Sequence, residues 1–104
     1  MSIKGVLREE LANSLRMQER YEQELSKLPK GSLVKRRIRS HDYHYLVYRE
    51  DGKVRSDYRG KLDPEEIARY RAARDQRAQY RKLLSKVKRQ VSFLRGVLRG
   101  KEPI

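Results

Sequence analysis

From Ile3 to Leu28 apolar side chains recur at alternating four- and three-residue steps. Leu7, Leu11, Tyr21, Leu25 and Leu28 fall on one stripe, with Ser14 and Gln18 filling its middle positions. This is the spacing of a coiled-coil seam, and it predicts one long helix over residues 1–28. Pro29 ends that helix, because a proline turns the residue before it away from helical angles, and Gly31 supplies a backbone free to reverse. A second stripe with the same spacing, Tyr80, Leu84, Val87, Val91, Leu94 and Leu98, predicts another helix over residues 63–99. Its start lies in Asp63-Pro64-Glu65-Glu66. Asp63 caps, Pro64 suits the first helical position, and Glu66 completes a capping box. The early half of this helix is poorer in apolar groups, offering Ile67, Tyr70, Ala73 and the stems of Arg74 and Arg77. At about 1.5 Å per residue the two helices differ in length by roughly 13 Å, so part of the second is expected to run beyond the first.

Between the helices the period changes to two. Leu33 to Arg39, Tyr43 to Arg49 and Lys53 to Arg59 read as three strands in a sheet spanning residues 31–60. Asp51-Gly52 is the dipeptide favoured by a two-residue hairpin turn whose central residues both need positive φ, and it fixes the pairing: Glu50 with Lys53, Tyr48 with Arg55, Tyr45 with Tyr58. Tyr43, Tyr45, Val47, Val54, Ser56 and Tyr58 then share one side, which is expected to pack on helix. The other side carries His44, Leu46, Tyr48, Lys53, Arg55 and Asp57, joined by Leu33, Lys35 and Arg37 of the first strand. The expected fold is α+β, a single domain over residues 1–104. It runs long helix, three-stranded antiparallel β-meander, long helix, and the helices pair as an antiparallel coiled-coil-like hairpin. The same seams also offer a surface for a homodimer.

Charge turns this architecture towards a class of partner. The chain has 27 Lys and Arg against 14 Asp and Glu, a formal net charge of +13. Residues 1–28 are balanced, five bases against five acids, so the whole excess sits in the sheet and the second helix. Polyanions are the partners such a distribution attracts. The expected function is therefore non-enzymatic nucleic-acid binding. A narrow sheet enters the DNA major groove, where Lys35, Arg37, Lys53 and Arg55 reach phosphates and guanine edges, and His44 and Tyr48 stack on bases or donate to phosphates. Arg81, Lys82, Lys88 and Arg89 are placed to follow a phosphate backbone along the second helix. DNA is expected ahead of RNA. Two alternatives are an RNA- or ribosome-binding protein and a coiled-coil interaction module, with a protein partner in a larger nucleoprotein complex.

The segment Leu28-Pro29-Lys30-Gly31-Ser32, followed by Tyr43-His44-Tyr45-Leu46-Val47-Tyr48-Arg49-Glu50-Asp51-Gly52-Lys53-Val54-Arg55-Ser56, resembles an uncharacterised family of short prokaryotic proteins. With the closing Tyr58-Arg59-Gly60 it is also similar to the N-terminal region of some insertion-sequence transposases and, more loosely, to the three-stranded arm-binding domains of tyrosine integrases. The resemblance covers about 30 residues and implies nucleic-acid contact, at most as an accessory of a mobile element, because the chain carries no catalytic domain of either kind.

Other chemistry finds little footing. The chain has no cysteine, which removes disulfides, thiolate metal sites and thiol nucleophiles together, and no Gly-rich phosphate loop. His41 and His44 sit around a turn and strand where their side chains diverge, so no metal site is expected. Ser40-His41-Asp42 are consecutive and cannot converge as a triad does. No cofactor is expected. No apolar run reaches the roughly 18 residues of a membrane span and the first residues lack a secretory stretch, so the cytoplasm is the expected compartment.

Overall fold

The computed structural model describes residues 2–100; Met1 and residues 101–104 of the expected single domain lie outside the described residues. The chain is α+β. Helix α1 (Ile3–Lys27) is followed by strands β1 (Ser32–Ile38), β2 (His41–Glu50) and β3 (Lys53–Gly60), then by helix α2 (Pro64–Arg99). These elements form two compact units, one made of α1 with α2 from Gln79 onward, the other of Leu28–Ala78.

In the helical unit the sequence pattern closes on itself. Ser2 caps α1, its Oγ accepting from the Gly5 amide at 3.0 Å and its carbonyl from the Val6 amide at 3.2 Å. The rings of Tyr21 and Tyr80 meet at 6.1 Å between centroids, which sets the register of the antiparallel pair. Counted in heptads from that pair, back along α1 and on along α2, Ser14 corresponds to Val87 and Leu7 to Leu94. Burial follows that register: Ser14 is only 2% exposed, and Val87, Val91 and Leu94 are the buried apolar residues of α2 in this unit. The two seams thus face each other within one chain.

The sheet unit is an antiparallel meander in the order β1-β2-β3. Its pairing is the expected one, with Glu50 opposite Lys53, Tyr48 opposite Arg55 and Tyr45 opposite Tyr58. A register shift between His44 and Tyr45 then brings His44 opposite Gly60. Each hairpin turns in two residues with positive φ, Asp51 (51°) and Gly52 (76°) in one and Arg39 (49°) and Ser40 (69°) in the other. The first strand therefore ends at Ile38, and Arg39 belongs to the turn. At the far end of the unit Asp63 caps α2 as expected, its Oδ1 accepting from the Glu66 amide at 2.8 Å. That bond is the main reason its carboxyl is held below the usual carboxylate range.

The two faces of the sheet are the reverse of the expectation. His44 and Leu46, placed by sequence on the solvent side, are each 6% exposed, and His44 with Leu33 and Lys35 faces Ile67, Tyr70, Arg71 and Arg74 of α2 across a small cavity. Tyr43, Tyr45 and Val47 are half-buried, while Val54, Ser56 and Tyr58 are exposed. The reason lies in what each side chain loses on burial. The early half of α2 is a narrow stripe that covers only a few residues, and leucine gains more from it than tyrosine, whose hydroxyl keeps a claim on water. Gly31 completes the buried side. At φ +104° it lies so close to the sheet that an added Cβ would stand 2.9 Å from Leu46 Cδ1 and 2.9 Å from the Val47 carbonyl oxygen.

Candidate nucleic-acid interface

The open face of the sheet is built by alternation. β2 contributes Tyr43, Tyr45 and Val47. Opposite them stand Arg36 and Val34 of β1, paired with Tyr43 and Tyr45, and Tyr58 and Ser56 of β3, paired with Tyr45 and Val47. The rings form a connected row: Tyr45 to Tyr58 at 5.3 Å between centroids, Tyr43 to Tyr58 at 6.3 Å, and His41 to Tyr43 at 6.5 Å. Cations lie over two of them, the Arg36 guanidinium 5.8 Å from the Tyr45 centroid and the Lys61 ammonium 6.0 Å from that of Tyr43. Tyr58 is 60% exposed. No tight pairing of opposite charges intervenes on this face among the described ion pairs.

The residues expected to read DNA are arranged differently from that surface. Lys35 and Arg37 of β1 and Lys53 and Arg55 of β3 are exposed, but they share their side of the sheet with α2. His44 is buried and cannot stack on a base, a correction that follows from the reversed faces. Tyr48 is half-buried; desolvation first, then the Asp57 carboxylate, pushes its hydroxyl above the ordinary tyrosine range. Arg55 Nε lies 3.6 Å from Glu50 Oε2. Arg81, Lys82, Lys88 and Arg89 are exposed on α2 in the helical unit, where Arg89 Nη1 donates to Ser85 Oγ at 3.3 Å. Among the described residues no three His, Cys, Asp or Glu side chains come together as a metal-ligand set, and no helix is long and apolar enough to cross a membrane.

Arg36, Tyr43, Tyr45, Tyr58 and Lys61 were absent from the expected site. Their signal in the sequence is the two-residue spacing of Tyr43 and Tyr45 with Tyr58 paired opposite; packing is the commoner role of such strand tyrosines.

Residues 6–69 match the family model described as a domain of unknown function (DUF6788). The chain belongs to this family. The match takes in most of α1, the whole sheet with its open tyrosine face, and the first residues of α2, ending before Arg71 and Arg74. No curated protein and no solved structure matches the chain. The likeness to transposase and integrase segments therefore rests on the quoted residues alone.

Proposed function

We propose that this member of the DUF6788 family is a non-enzymatic nucleic-acid-binding protein that holds single strands on the open face of its sheet. One observation carries the reading: Tyr43, Tyr45 and Tyr58 form a row on the side away from α2, with Arg36 and Lys61 over two of the rings. Every base has a π-face, so a tyrosine row accepts a single strand with little sequence preference, at about 1–3 kcal/mol per stacked base. The bases at its rim neutralise the backbone, and the net charge of +13 draws the polyanion in. The duplex reading loses support with the reversal of the faces, because a sheet backed by a helix on its Lys35 and Arg37 side cannot insert that side into a major groove. A role as accessory of a mobile element, and a cytoplasmic setting, fit this reading as proposals that stand on sequence.

The test is fluorescence anisotropy with labelled single-stranded RNA, single-stranded DNA and duplex DNA over a salt series. Single strands are expected to bind ahead of duplex. Tyr58→Ala is expected to weaken them about tenfold, and Arg37→Ala/Arg55→Ala chiefly to flatten the salt slope. Duplex binding that ignores Tyr58→Ala but collapses with the arginine pair would restore groove recognition. No binding of any nucleic acid at physiological salt would leave a protein partner as the explanation of the charge.

A further inference from the structure

On the covered side of the sheet lies a cavity of about 120 Å³ between β1, β2 and the first turns of α2. Its polar lining is cationic: Lys35, Arg71 and Arg74, with Tyr70 and His44 beside them, and no carboxylate borders it. All three are exposed at the rim of the space, and their convergence on it favours an anion there. A second observation points the same way. His44 is 6% exposed, and its Nδ1 is a buried polar atom with no hydrogen-bond partner in the chain. Such an atom is costly to leave unmade, and in the tautomer that carries its proton there it is a donor.

We propose that this cavity is a phosphate site, taking a terminal phosphate group. The space is ample for a tetrahedral oxyanion with accompanying water. Arg71 and Arg74 offer planar forks to its oxygens, Lys35 a point charge, and Nδ1 of His44 a buried donor. A terminal phosphate monoester offers three free oxygens and up to two negative charges to these donors, where an internal phosphodiester offers two oxygens and one charge. The way in is a wider cleft of about 620 Å³, which shares Lys35, His44, Ile67 and Arg71 with the cavity and is also lined by Asp42 and Asp75. Asp75 lies 3.6 Å from Arg74 Nη2, so Arg74 is partly neutralised and Arg71 and Lys35 carry most of the free charge. The site stands on its own observations and does not require the tyrosine face to bind anything.

The experiment follows the ¹⁵N resonance of His44 Nδ1 in the full chain during titration with inorganic phosphate, and with a dinucleotide bearing or lacking a 5′-phosphate. Phosphate and the phosphorylated dinucleotide are expected to give a saturable shift. Arg71→Gln, a change at an exposed residue that leaves the fold intact, is expected to weaken it about tenfold; Tyr58→Ala is expected to leave it unchanged. The proposal is overturned if neither phosphate ligand moves the resonance saturably, or if Arg71→Gln titrates like the wild type. It is equally overturned if the unphosphorylated dinucleotide acts as strongly as the phosphorylated one, which would make the ligand a backbone phosphate. Loss of single-strand binding in Tyr58→Ala with the His44 response intact separates this site from the open-face reading.

Discussion

Arg77 holds Gly31 from across the sheet unit: its Nη2 donates to the Gly31 carbonyl at 2.6 Å, and its Nη1 donates to the carbonyl of Pro29. Arg77 as a whole is 7% exposed, so α2 ties down the segment that leads from α1 into β1 with a charged fork from a buried residue. Backbone carbonyls left by a helix-ending proline are thereby satisfied from thirteen residues into another helix.

Arg77→Ala is expected to cost about 1.5–3 kcal/mol, the scale of hydrogen bonds to a charged group, read as a lower urea midpoint. Arg77→Lys is expected to recover little of it, because an ammonium cannot span two carbonyls in the plane of a fork. Full recovery by lysine would mean that charge alone matters there.

Gly31 and Gly52 both have positive φ but meet different surroundings. Gly52 has nothing within 4 Å of an added Cβ, whereas Gly31 abuts Leu46 and the Val47 carbonyl. Gly52→Ala is expected to cost about 1–2 kcal/mol from backbone strain alone. Gly31→Ala adds overpacking of about 1–3 kcal/mol to that strain and is expected to be clearly the worse variant in thermal unfolding.

Adjacent residues of α2 separate core from surface. Leu94 is 5% exposed and Phe93 68%. Leu94→Ala is expected to destabilise by about 2–5 kcal/mol, and Phe93→Ala to stay within about 0.5 kcal/mol. Equal losses in denaturant melts would contradict the register set by Tyr21 and Tyr80.

The Asp63 cap makes the start of α2 sensitive to acid. Its carboxyl titrates below the usual range in the folded chain, chiefly through the Glu66 amide, so its contribution is present at neutral pH and is lost as pH falls through the depressed value. Asp63→Asn keeps an acceptor that does not titrate. The variant is expected to melt near the wild type at neutral pH and to lose less stability on acidification; parallel melting curves down to strong acid would disprove the assignment.

Element boundaries were legible because they rest on local chemistry: Pro29, the Asp51-Gly52 turn and the Asp63-Pro64 start each constrain the backbone within a residue or two. Register was legible for the same reason, since one hairpin turn fixes the pairs of β2 and β3 from Glu50 with Lys53 to Tyr45 with Tyr58; the shift beyond Tyr45 leaves no such local mark. The face of the sheet was not. Both sides carry apolar groups, and counting them favours the tyrosines. The choice is made by packing on residues far along the chain, where Leu33 and His44 face the narrow stripe of Ile67 and Tyr70 and Leu46 is buried beside Gly31. The leucines held the better clue, being the side chains with no polar atom to keep wet. The inward turn of His44 towards arginines followed from that choice and could not be read without it.

A three-stranded sheet in the order β1-β2-β3 has two edges, and each is a row of unpaired backbone groups able to recruit a neighbouring chain. β1 bears Lys35-Arg36-Arg37 in succession, and β3 bears Lys53, Arg55 and Arg59. Like charges meeting edge to edge repel, so these bases act as guards against fibrous aggregation whatever else they bind. Neutralising several of them at once, to test the proposed nucleic-acid binding, would also strip the protein of its protection against self-association.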